Sequence, residues 1–140
     1  MMLSGTHTNM TIRNNIVYQT DRGPCIYGTF TGLKVENNTF VNMTDYAVDI
    51  EATGGNNVLV RNNIFRNVRT PAVDVVSATA TQDHNFTGDP MFVNEAGLDF
   101  HLKSGSPAIN TGVNSPYVTN DYDGRSRPQG STTDIGAYEY

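Results

Sequence analysis

Tryptophan is absent from this 140-residue chain, cysteine occurs once, and lysine stands only at Lys34 and Lys103. One cysteine closes no internal disulfide, so Cys25 says nothing firm about redox compartment. Nine basic residues against fourteen acidic ones leave a net charge of −5. Arg13, Arg61, Arg66 and Arg69 are scattered among acids, so there is no basic stripe to follow a nucleic acid. No apolar run approaches the roughly 18 residues that a membrane-crossing helix needs. Met1-Met2-Leu3-Ser4-Gly5 has neither the basic start nor the apolar stretch of an export signal. His7, His84 and His101 fall at no metal-binding spacing, and neither a phosphate loop nor a usable Ser-His-Asp order is present. Helical periodicity, with apolar residues at i, i+3, i+4 and i+7, is missing as well.

What is present is a repeat. Ile12-Arg13-Asn14-Asn15-Ile16-Val17, Val35-Glu36-Asn37-Asn38-Thr39-Phe40 and Val60-Arg61-Asn62-Asn63-Ile64-Phe65 share one pattern, and Gln82-Asp83-His84-Asn85-Phe86 is a degenerate fourth copy. Asn37 follows Asn14 by 23 residues and Asn62 follows Asn37 by 25. A period of this size marks stacked units. Short runs of Val, Ile, Thr, Phe and Tyr, separated by Gly, Asn and Asp, make each unit a set of strands and bends. Three short strands and three bends per unit give an all-β parallel coil of about three to four turns, with strands stacked about 4.8 Å apart. Asparagine suits the bend because it tolerates the left-handed backbone region. Its amide can also bond the identical amide one turn away, so Asn15, Asn38 and Asn63 are expected to form a structural ladder.

A second strand family aligns as Cys25-Ile26-Tyr27-Gly28, Ala47-Val48-Asp49-Ile50 and Ala72-Val73-Asp74-Val75. In this register Ile26, Val48 and Val73 stack inward, while Tyr27, Asp49 and Asp74 share an outward row with Glu51 one side-chain step along. Two carboxylates one coil apart sit near 5 Å, close enough to share a proton or a cation. Asp49 and Asp74 are the candidate catalytic acids, with Tyr27 and Glu51 as candidate substrate contacts. Neither lysine falls in this row to serve as the base of a lyase, and the acids equally suit a merely solvated sheet face. Asn120-Asp121-Tyr122-Asp123-Gly124 alternates oxygen donors ahead of a glycine, so Asp121 and Asp123 form a weak calcium candidate. The same residues also fit a turn whose Asp side chains cap backbone amides. No other cofactor is expected.

The chain resembles the bacterial right-handed parallel β-helix proteins of the pectate-lyase-like superfamily. Its last third is similar to their choice-of-anchor Q type C-terminal module, through Asp89-Pro90-Met91-Phe92-Val93, Asp99-Phe100-His101-Leu102, 104–112, 121–128 and Asp134-Ile135-Gly136-Ala137-Tyr138-Glu139-Tyr140. The resemblance implies a secreted or cell-surface setting and an association with polysaccharides, as lyase, epimerase, hydrolase or binder. Relatives are usually several hundred residues long, so the chain looks like the C-terminal part of a longer protein. We therefore expect one domain, with parallel coils over 1–88 and an integral C-terminal cap over 89–140. The first coil lacks a comparable cap, and pairing with another copy would cover it, giving a homodimer or higher homo-oligomer. The expected role is a noncatalytic structural or polysaccharide-binding domain. The alternative is a carbohydrate-active enzyme, a polysaccharide lyase or glycoside hydrolase acting on an acidic polysaccharide.

Overall fold

The computed structural model describes residues 2–140; Met1, the first residue of the expected coil region, lies outside the described residues. Strands β1 (Met2–Thr8), β4 (Cys25–Thr31), β7 (Val48–Asn56) and β10 (Val73–Val76) form one parallel sheet. A second consists of β2 (Thr11–Arg13), β5 (Lys34–Glu36), β8 (Val58–Arg61) and β11 (Ala80–Asp83). The third contains β3 (Ile16–Tyr18), β6 (Thr39–Met43) and β9 (Ile64–Val68), continued by a bridge from Ile64 to Phe86. Each of the first three rungs contributes one strand to every sheet, and the fourth contributes β10, β11 and the Phe86 bridge, which is the parallel β-helix that the repeat predicts. Beyond the coils, β12 (Phe92–Asn94) and β13 (Asp99–Leu102) pair antiparallel.

The two asparagines of each pair divide the labour. Asn14, Asn37 and Asn62 take the left-handed backbone at φ 54°, 53° and 56°, and turn the chain from the second sheet into the third. Asn15, Asn38 and Asn63 carry the ladder: the Asn15 Nδ2 donates to Asn38 Oδ1 at 2.9 Å, and the Asn38 Nδ2 to Asn63 Oδ1 at 2.9 Å. Asn63 donates on to Asn85 Oδ1 at 3.0 Å, so the degenerate fourth copy belongs to the same column. The corner after the first sheet repeats the device with Asn9, Gly32 and Asn57, and toward the end of the third sheet Gln19, Asn42 and Asn67 also take positive φ, the last two inside β6 and β9. Rung spacing also dictates some glycines. Gly28 and Gly55 have positive φ, and a Cβ at either would overlap the carbonyl oxygen of the rung before it.

Inside the coil, Ile26, Phe30, Leu33, Val35, Phe40, Ile50 and Val60 fill the bore. A second apolar cluster lies on the outer face of the third sheet. There Val41 and Ile64 pack against Phe92, Phe100, Leu102, Ile135 and Ala137 of the C-terminal segment. That segment runs along the flank of the stack and touches every rung: Asn14 Nδ2 donates to the Asn120 carbonyl at 2.6 Å, Asn37 Nδ2 to the Asp134 carbonyl at 2.9 Å and Asn62 Nδ2 to the Val113 carbonyl at 2.8 Å. It accepts a bond from the amide nitrogen of each of these bend asparagines and works as a lateral strap, while Asn14 Oδ1 stays buried without a partner.

The polar N-terminal residues form β1, paired with β4 from Met2↔Cys25 to Thr8↔Thr31; backbone pairing to a formed rung supplies what their weak alternation lacks. One expectation needs correction: the outward row is misaligned by two residues at one step. Tyr27 lies beside Glu51 and Cys25 beside Asp49, while Asp49 and Asp74 do pair, and Ile26 stacks on Ile50. A two-residue slip leaves every side chain on its own face, so alternation alone cannot detect it.

Candidate functional site

The outer face of the first sheet therefore carries two columns, Cys25–Asp49–Asp74 and Tyr27–Glu51. Asp49 does not face solvent: its side chain is 3 % exposed, and Arg22 Nη1 donates to its Oδ2 at 2.8 Å. Arg22 Nε donates to Asp45 Oδ2 at 2.5 Å, and Arg69 Nη1 reaches Asp45 Oδ1 at 2.7 Å. Both guanidinium groups lie over the Tyr46 ring, at 5.8 and 4.4 Å from its centroid. Asp74 and Glu51 remain outside this network of hydrogen bonds among the described residues.

Sequence reasoning missed Arg22, although the repeat held the signal. Arg22 precedes Asp45 by one period, so the column rule that aligns the asparagines also sets this cation on this acid. Its chemistry is that of a fixed charge. The hydrogen bond to Asp45, with that residue's charge, raises the Arg22 pKa, which opposes loss of a proton to a substrate. Asp45 is held below the usual carboxylate range by the Arg69 hydrogen bond against some desolvation, with Arg22 adding to the effect. Burial, then the charge of Asp49, pushes the Cys25 thiol up, so it is no activated nucleophile. Tyr27 is raised too, by burial and by the charges of Asp49 and Glu51.

The calcium candidate separates into two unrelated roles. Asp121 is buried, and its two oxygens accept the Arg125 and Glu139 backbone N–H groups at 2.8 and 2.9 Å. Asp123 Oδ2 instead meets His101 Nε2 at 2.9 Å. Asp121 thus caps backbone amides, as the sequence also allowed, and Asp123 does not. Among the described residues no group of three His, Cys, Asp or Glu side chains is placed to hold a metal ion.

His101 itself is gripped from both sides, since its Nδ1 lies 2.6 Å from Asp99 Oδ1. Its ring stacks on Tyr138 at 3.8 Å. Burial pulls the His101 pKa down, but the hydrogen bonds to Asp123 and Asp99 outweigh it and the net shift is upward. The sign follows: a raised folded-state value adds stability that is fully present below the ordinary histidine pKa of about 6.5 and is lost as pH rises through the folded value. Urea midpoints should therefore fall as pH is taken upward through neutrality, and His101→Asn should flatten that slope. A variant with the same pH profile as the parent would remove this account.

At the N-terminal mouth of the bore, Ile12, Ile16, Val17, Pro24 and Phe40 line a cleft of about 200 Å³. Strands β1, β2 and β3 are outermost in their sheets, each paired on one side. No helix in the described residues is long and apolar enough to cross a membrane. No curated protein and no solved structure matches the chain. A family model described as "Right handed beta helix region" matches residues 1–112, which takes in every rung, and the chain belongs to that family.

Proposed function

We propose that this chain is a noncatalytic β-helix module, a structural or polysaccharide-binding unit of a surface or secreted protein that associates through its open first rung. The burial of Asp49 beneath Arg22 carries this reading. Two-acid chemistry needs a free pair of carboxyls, or an acid and a ready base, at a surface that substrate can reach. Here one acid of the pair is consumed by an ion pair, and the neighbouring cation is held in its charged form. The pairing of Asp49 with Asp74 on adjacent strands is the observation that favours the alternative, a lyase or hydrolase acting on an acidic polysaccharide.

A panel of glycans and oligouronides, run with and without calcium, separates the two. Binding is read directly and lyase turnover by the absorbance of unsaturated products. We expect no turnover from the parent chain and no change in glycan affinity for Asp74→Asn, while Asp49→Asn lowers thermal stability through loss of its charge-assisted bond to Arg22. Turnover that disappears in both variants would establish the enzyme instead.

A further inference from the structure

The two ends of the coil stack are not alike, and their difference is directional. In each of the first three rungs the asparagine of the ladder donates its backbone N–H and an Nδ2–H toward the C-terminal side: Asn15 to Asn38 Oδ1, Asn38 to Asn63 Oδ1 and Asn63 to Asn85 Oδ1, all within 2.9–3.0 Å. Because the backbone N–H and the side-chain amide converge on one atom, that atom must be the oxygen, and the orientation of each amide is fixed. The column thus begins at an acceptor, Asn15 Oδ1, to which no donor is placed among the described residues. It ends at Asn85, whose Nδ2 turns back to the Val60 carbonyl at 2.9 Å and whose backbone N–H has no described acceptor.

A second column has the same sense in residue type. Arg13 pairs in register with Glu36, Glu36 with Arg61 and Arg61 with Asp83, so basic and acidic residues alternate from Arg13 on the first rung to Asp83 on the last, while Glu36 is buried and accepts from Ser115, and Arg13 donates to Asn120 Oδ1. Arg61 closes on Asp83 through two bonds of 2.6 and 2.7 Å. The edges agree with these columns: β1, β2 and β3 are outermost at one end, and β10 and β11 at the other. The lateral course of the C-terminal segment leaves these roles to the rungs themselves.

We infer that the occupant of the open first rung is the last rung of a second copy, stacked in the same sense along the coil axis. This deepens the association reading above and rests on it. In that stack the Asn85 donors meet Asn15 Oδ1, Asp83 meets Arg13 and Val75 follows onto the column of Leu3, Ile26 and Ile50, so hydrogen bonding, charge and the apolar bore all continue their internal pattern. A two-fold arrangement that joins two first rungs does the reverse. It brings two acceptor ends and two arginine ends to one interface. A same-sense contact is heterologous and leaves a free end after each addition, so it builds open chains of copies.

Sedimentation velocity with light scattering over a concentration series tests this on the intact chain. The expected result is a mass that keeps growing past twice the monomer. Asp83→Arg should weaken association about tenfold or more, since it sets like charges across the contact. Arg13→Glu should do the same from the other face, and it keeps the test intact if Asp83→Arg disturbs the Arg61 pair and with it the sheet signal in circular dichroism. An equal mixture of the two variants should regain growth, because the introduced acid then faces the introduced cation. A mass that stops at twice the monomer and ignores Asp83→Arg overturns the same-sense stack while leaving association through the first rung standing. A monomer at every concentration overturns both.

Discussion

Replacing Arg127 with methionine should lower the unfolding free energy by about 3–5 kcal/mol, the cost of stranding a buried charge. Both members of the pair are closed to solvent, with side chains 1 % exposed and Arg127 Nη1 at 2.7 Å from Glu139 Oε2. The guanidinium also donates to the Thr133 hydroxyl and to the Asp134 and Gly136 carbonyls, at 3.0, 3.0 and 2.8 Å. Burial pulls the Arg127 pKa down, and Glu139, Asp121 and Asp134 oppose that pull. Glu139 in turn accepts backbone N–H groups from Gln129 and Asp134. The pair therefore shapes the 133–139 stretch, which reaches the rungs through the Gly136 N–H on the Asn62 carbonyl and the Ala137 N–H on the Thr39 hydroxyl.

A domain of this size has only about 5–15 kcal/mol of net stability, so the loss is a large share of it. Urea denaturation gives the number, and the slope shows whether the strap detaches before the coils: a first transition with a smaller slope would mark strap release. The partner test is the double replacement Arg127→Met with Glu139→Leu. Removing both charges should cost clearly less than removing the cation alone, because no uncompensated carboxylate stays buried. Equal losses in the single and double variants would mean that packing volume, not charge, holds the segment.

The coils were legible because stacking converts sequence period into spatial columns, and Asn15, Asn38, Asn63 and Asn85 stand in the column that their spacing sets. What escaped is what period and alternation cannot encode. Pairing of Tyr27 with Glu51 depends on the length of the corner between β6 and β7, and a slip by two is invisible to inside–outside alternation. The burial of Asp49 depends on Arg22, whose place beside Asp45 the period does carry but whose second reach, to Asp49, it does not. The flank covered by the C-terminal segment was hidden for a related reason. Ile16, Val41 and Ile64 face outward from the third sheet, and only the strap makes that face a second core. The separation of Asp121 from Asp123 follows from backbone amides that a string of oxygen-bearing residues does not reveal.

The largest effect expected in the coils is at Asn38, and its comparison with Asn15 decides whether the ladder stabilises the stack or only accompanies it. Asn38 is fully buried. Its amide donates to the Ile12 carbonyl, the Glu36 carbonyl and Asn63 Oδ1 at 3.0, 3.1 and 2.9 Å, and its oxygen accepts two bonds from Asn15. Alanine there removes every one of these and leaves several buried groups unsatisfied, each costing about 1–3 kcal/mol, so a total loss of about 3 kcal/mol or more is expected. At Asn15, which is exposed, the same change should cost about 1 kcal/mol or less, because water can replace the lost partner and its backbone N–H still reaches Asn38 Oδ1. Asn38→Asp is the sharper probe. It keeps the volume but turns the donor that faces Asn63 Oδ1 into an acceptor, and it adds a charge to a site with no cation among its bonded partners. It should destabilise at neutral pH at least as much as alanine and recover part of that loss as the pH is lowered and the carboxyl takes up a proton, because a protonated acid again donates in that direction. Equal and small losses at Asn15 and Asn38, measured by chemical denaturation, would leave the bore packing and backbone pairing as the whole source of the coil's stability.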